Sequence, residues 1–183
     1  MERYLNVNER SDLGLVDYLQ CESVGEPGAR TFNVTARSAR GEAVVWMEKE
    51  QLYQTGLSLK RILVARESPV DAAIFQEPAY DAYAPIKVEF KTDELALQHD
   101  PASDVFTVIA RHMPNDDLSN DGFLEIAFSF HRDKAKEISE RCFTVVAAGR
   151  KPCPLCELPL ETGASHFCVK VNGYNSSENL MGS

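Results

Sequence analysis

The chain has no apolar run approaching the ~18 residues that a membrane-spanning helix needs. Its opening, MERYLNVNERSD, lacks a basic segment followed by an apolar one, so neither a membrane span nor an export signal is expected. Basic charge is scarce too: 19 Lys and Arg stand against 28 Asp and Glu, a net charge of −9. A field of that sign repels phosphate backbones and anionic lipid, which disfavours nucleic acid and membrane surfaces as partners. Only five cysteines are present, and without an export signal they are expected as thiols or metal ligands rather than disulfides. These absences point to a cytoplasmic protein.

Catalytic patterns are also missing. His99, His112 and His131 are isolated in sequence, expected at surfaces or strand ends, and none stands in a nucleophile–base arrangement with Ser or Cys. The acidic stretch Met113–Gly122, MPNDDLSNDG, lacks the alternating ligands and closing Glu of a calcium loop, and is expected as a solvated loop.

What is present is periodicity. Leu15–Cys21, then Phe32, Val34 and Ala36 alternating with Asn33, Thr35 and Arg37, then Ala43–Met47 predict three strands. From Glu48 to Arg66 the period changes, and Leu52, Leu59, Ile62 and Leu63 form the stripe of an amphipathic helix. The order then recurs. Ile86, Val88 and Phe90, then Phe106, Val108 and Ala110, then Leu124, Ile126, Phe128 and Phe130 predict three strands. A helix follows over Arg132–Ala147, with Ala135, Ile138, Cys142, Val145 and Val146 on one face and Gly149 as its stop. Val16-Asp17-Tyr18 parallels Val88-Glu89-Phe90, and Phe32-Asn33-Val34-Thr35-Ala36-Arg37 parallels Phe106-Thr107-Val108-Ile109-Ala110-Arg111. The expected fold is therefore α+β, an internal duplication of a β-β-β-α unit with antiparallel sheets. Residues 1–66 form the first repeat, 67–85 a proline-rich linker, 86–149 the second repeat, and 150–183 a zinc-ribbon- or knuckle-like tail. Cys21 and Cys142 are expected as small buried hydrophobes.

The tail carries the most specific motif. Cys153-Pro154-Leu155-Cys156 is followed by His166-Phe167-Cys168. A Cys-x-x-Cys turn aims both sulfurs at one ion, and a second pair completes a tetrahedron. Three thiolates and one imidazole suit Zn²⁺, and four protein ligands leave no open position, so a structural zinc is expected. So short a tail, with few large apolar groups, would take its folding free energy from the metal. A dithiol–disulfide couple, unligated thiols and an iron–sulfur site are the competing readings of the same residues.

A second candidate lies in Gly25-Glu26-Pro27-Gly28-Ala29-Arg30-Thr31-Phe32. A hairpin turn using Gly28 at positive φ explains it simply. The sharper reading is a ligand loop, in which backbone N–H groups and Arg30 receive an anion.

The motifs GEPGARTF, Glu48-Lys49-Glu50-Gln51, and AGRKPCPLCELPLETGASHFCVKVNGY together resemble the DUF3090 family of uncharacterised bacterial proteins, from about Leu15 to Tyr174. The chain departs from the family pattern in extra residues between Gly163 and His166 and in its acidic insertion at Met113–Gly122. The resemblance implies no established activity.

Two functions are expected to compete. One is a monomeric, noncatalytic binding or adaptor protein whose zinc tail docks a protein partner or supports a small pocket. The other is an enzyme or enzyme subunit acting on a phosphorylated or anionic small molecule, with Gly25, Gly28, Arg30, Glu48, Lys49 and Tyr174 around the glycine loop. Glu48 and Lys49 also fit a plain helix start.

Overall fold

The structure is a computed structural model of the whole chain, and residues 3–4, 9–26, 29–79, 85–113 and 123–148 are described. They belong to two compact units: Met1–Val24 with Thr31–Val146, and Gly25–Arg30 with Ala147–Ser183. The fold lies in the first.

Among the described residues nine strands and two helices follow one another as β1 (Arg3–Tyr4), β2 (Glu9–Leu15), β3 (Tyr18–Val24), β4 (Thr31–Ser38), β5 (Gly41–Met47), α1 (Lys49–Ala65), β6 (Ile86–Lys91), β7 (Glu94–Asp100), β8 (Val105–His112), β9 (Leu124–His131) and α2 (Arg132–Ala147). They form two sheets, ordered β1-β6-β5-β4-β3 and β2-β9-β8-β7. The class is α+β, as the change from two-residue to helical periodicity requires.

The predicted units need one correction. The expected strand Leu15–Cys21 is interrupted at Val16–Asp17, because β2 and β3 enter different sheets. A further strand, β7, lies between β6 and β8. Leaving aside the two-residue β1, each helix is thus preceded by four strands, of which the last three form an antiparallel meander. The first is delivered to the other sheet: β2 runs parallel to β9, and β6 runs parallel to β5. The sheets are therefore mixed rather than purely antiparallel.

The pairings recur in matching register. Tyr18 faces Arg37 as Glu94 faces Arg111, and Phe32 faces Met47 as Phe106 faces Phe130. At the crossings, Asp17 N–H donates to Arg37 O at 3.0 Å and Asp93 N–H to Arg111 O at 2.9 Å. Val16 N–H donates to Ser129 O at 2.9 Å and Thr92 N–H to Trp46 O at 2.8 Å. Tyr18 is therefore the counterpart of Glu94, not of Phe90 as the Val16–Tyr18 parallel suggested. The Phe32 and Phe106 segments do correspond.

The same correspondence runs through the core. A void of about 20 Å³ is lined by six matched pairs: Leu19 and Leu95, Val34 and Val108, Val45 and Phe128, Met47 and Phe130, Thr55 and Ile138, Leu59 and Cys142. Its predominantly apolar walls favour a dry void. Phe106, Phe128 and Phe130 are at most 2% exposed and supply the largest buried side chains. Burial of each is worth on the order of 2–3 kcal/mol.

After α1 the described residues 66–79 are held to the body at several points. Arg40 Nη2 donates to Glu77 Oε2 at 2.7 Å and to Pro78 O at 2.9 Å, and Ala73 N–H donates to Ala102 O at 2.8 Å. Glu77 sits over the β2 irregularity, where Gly14 takes φ +65° and any Cβ would stand 2.2 Å from its carboxylate. No described helix is long and apolar enough to cross a membrane.

Candidate functional site

Glu48 stands immediately before α1, and its N–H donates to Gln51 Oε1 at 2.8 Å, half of a capping box. Lys91 Nζ donates to its carboxylate at 2.5 Å. Lys49 is the exposed first residue of the helix. Both residues thus serve a helix start.

Gly25 and Arg30 belong to the smaller unit. Gly25 takes φ +106°, and a Cβ there would lie 2.8 Å from Ala29 O. Ala29 N–H donates to Glu26 O at 2.9 Å, closing the turn. Arg30 Nη1 donates to Ala148 O, a carbonyl just beyond α2, in the manner of a basic residue closing a helix C-terminus. Its Nε is buried with no partner among the described residues. Gly28, Tyr174 and the four expected metal ligands, Cys153, Cys156, His166 and Cys168, lie outside the described residues. Among the described residues no group of three or more His, Cys, Asp or Glu is placed to hold a metal ion.

Cys21 and Cys142 are fully buried, with their sulfurs 3.9 Å apart. Their counterparts across the two halves are Leu97 and Leu59, so the sulfurs occupy a core contact. That bears out their reading as small hydrophobes.

The sequence reading missed a buried ionic cluster. His99 is not a surface residue: its side chain is 7% exposed, its ring lies tilted against Phe106 with centroids 4.4 Å apart, and its Nε2 is 2.9 Å from Asp104 Oδ1. Arg132 Nε donates to Asp104 Oδ2 at 2.6 Å, while its Nη1 and Nη2 donate to Leu63 O and Arg66 O at the end of α1. Burial pushes the Asp104 carboxyl upward, but hydrogen bonds from Arg132, His99 and Ser68 outweigh it and hold the pKa at about 2. Asp104 also takes φ +55°, a conformation Asp tolerates better than most residues. The partners are separated in sequence, and no local signal joins them. With the carboxylate shared among three donors, the cluster joins α2 to the end of α1 and leaves little capacity for a substrate.

His112 Nδ1 lies 2.8 Å from Asp93 Oδ2, and Arg111 bridges Glu125 and Glu94. Arg111 links neighbouring strands on one face of the sheet while His112, the next residue of β8, points to the other, and such partly exposed pairs carry small energetic weight.

One feature with binding geometry is a groove of about 280 Å³ between α1 and β7. Glu50, Gln51, Gln54, Thr55 and Ser58 form the helical wall, with Leu95, Ala96, Leu97 and Val108 opposite. Thr55, Leu95 and Val108 also line the central void, so the groove leads inward to the core. At the matching positions of α2 stand Lys134, Ile138 and Arg141 in place of Gln51, Thr55 and Ser58. The shorter side chains of α1 leave the space. Sequence periodicity marked Leu52, Leu59, Ile62 and Leu63 on this helix and singled out neither Thr55 nor Ser58.

Comparison with curated proteins and with solved structures returned no match. The model of a family described as a protein of unknown function, DUF3090, matches residues 12–168. That span covers both sheets from β2 onward, both helices and, at its end, all four expected metal ligands. The chain belongs to the DUF3090 family.

Proposed function

We propose that this chain is a noncatalytic binding protein whose ligand seat is the groove between α1 and β7. The observation that carries this reading is the groove itself: hydrogen-bonding groups on one wall, an apolar wall opposite, and an opening toward the core. The engagement of Glu48, Arg30, Asp104 and Arg132 in structural contacts supports a binding rather than a catalytic role. A fragment screen by heteronuclear NMR on the full chain tests it. Shift changes should cluster at Gln51, Gln54, Thr55, Ser58 and Leu95–Leu97 and vanish in Ser58→Arg; changes clustered elsewhere defeat the reading.

The two halves arose by internal duplication in this reading, supported by the recurring register and the six matched pairs around the void. Cys153, Cys156, His166 and Cys168 hold a structural Zn²⁺, a role that the donor set of three thiolates and one imidazole fits. The metal folds the tail and takes no part in chemistry.

A second reading, an anion-accepting loop at Gly25–Phe32 serving an enzyme, has one observation in its favour. The buried Arg30 Nε is a donor that an anion would satisfy.

A further inference from the structure

Side chains of a strand alternate between faces, so one face of β7 offers Leu95 and Leu97 while Ala96 points the other way. All three line the same groove. That is possible where the groove reaches the edge of the strand and exposes the backbone between them. Among the described residues β7 is the outermost strand of its sheet. Its seven residues, ELALQHD, pair with β8 without a bulge and contain neither Pro nor Lys, the usual devices that blunt an edge.

We infer that the groove takes an extended, basic peptide, which adds as a strand beside β7 with α1 as its wall. This deepens the proposed binding role and rests on it. Edge N–H and C=O groups would pair with the peptide backbone, and Gln51, Gln54, Thr55 and Ser58 would meet its side chains. Charge decides the class. Among the described residues lining the groove Glu50 is the one that carries a charge, and β7 bears Glu94, which is shared with Arg111 of β8, and Asp100, but no Lys or Arg of its own. An acidic rim on a chain of net charge −9 favours a peptide rich in Lys or Arg and disfavours a phosphopeptide. A strand of seven residues spans roughly 24 Å, so a nonapeptide covers it.

The test selects displayed random nonapeptides on the immobilised full chain, then measures the winners by fluorescence anisotropy. Winners should be enriched in Lys and Arg. Their binding should fall at least tenfold in Ser58→Arg, which installs the α2 side chain, and severalfold in Glu50→Lys and in 0.5 M salt. Thr55→Ile provides a second groove-filling variant, and circular dichroism checks that each variant is folded. Bound peptide should slow amide exchange across residues 94–100. Winners lacking basic residues, equal binding to folded Ser58→Arg and Thr55→Ile, or unchanged exchange at β7 overturns the inference. A chain that sediments as a dimer, and as a monomer in Ser58→Arg, makes a second copy the occupant and also overturns it. If peptides fail while fragments still shift the groove in NMR, the binding role stands and only the peptide class falls.

Discussion

Ser139 donates its hydroxyl to the carbonyl oxygen of Gly56 at 2.9 Å, and the two residues hold the same place, the eighth, in α2 and α1. The helices therefore touch at corresponding points, one offering a bare backbone and the other a small side chain.

Gly56 is needed for that approach: a Cβ there would stand 2.8 Å from Cys142 Cβ. Gly56→Ala gains up to ~1 kcal/mol in helix propensity but overpacks a buried contact at about 1–3 kcal/mol. We expect net destabilisation, read as a lower urea midpoint with unchanged slope. An unchanged or higher midpoint refutes the close helix contact.

Asp104 links His99 and Arg132 in a site at most 12% exposed. Asp104→Asn leaves the Arg132 guanidinium without its countercharge and should cost about 2–3 kcal/mol, less than a fully buried pair because its edge reaches water. The folded pKa is depressed, so this stability is present above the ordinary carboxylate value of 3.8 and is lost as pH falls toward about 2. Wild-type protein should therefore lose stability between about pH 4 and 2 more steeply than Asp104→Asn. Parallel acid-unfolding curves would remove Asp104 from the ledger of acid-sensitive groups.

The tail prediction concerns metal. Purified protein should contain about one zinc per chain by elemental analysis, as expected for a four-ligand structural site. Cys153→Ser and Cys168→Ser should lose the zinc and the protection of the tail from protease, while the sheets keep their circular dichroism. A metal-free parent with a protease-resistant tail would falsify the zinc assignment.

Both helices were legible in the sequence to within a residue at either end, because Leu52 and Leu59, and Ala135, Ile138 and Cys142, repeat at helical spacing. β4, β5, β8 and β9 were legible from strict alternation. β7 was missed because Leu95 and Leu97 are only half-buried at a sheet edge, which gives a weak pattern. The break at Val16–Asp17 was missed because it follows from the exchange of strands between sheets, a long-range choice that alternation does not report.

For the candidate site the division is sharper. Residue type and spacing alone singled out Cys153, Cys156, His166 and Cys168 as candidate ligands, since a Cys-x-x-Cys and His-x-Cys pattern is local to a short segment. The groove required the packed fold. Thr55 and Ser58 acquire meaning only when α1 lies beside the edge of β7 and its counterpart α2 is seen to carry Ile138 and Arg141. Asp104, Arg132 and His99 likewise meet only after β7, the turn into β8 and the start of α2 are brought together. The sequence by itself determined both helices and the strongly alternating strands, because periodicity acts over a few residues, and the spacing of its Cys and His residues suggested a ligand set. Only the tertiary structure decided which strands share a sheet, which edge stays open and which charges pair, because those depend on contacts between residues far apart in the chain.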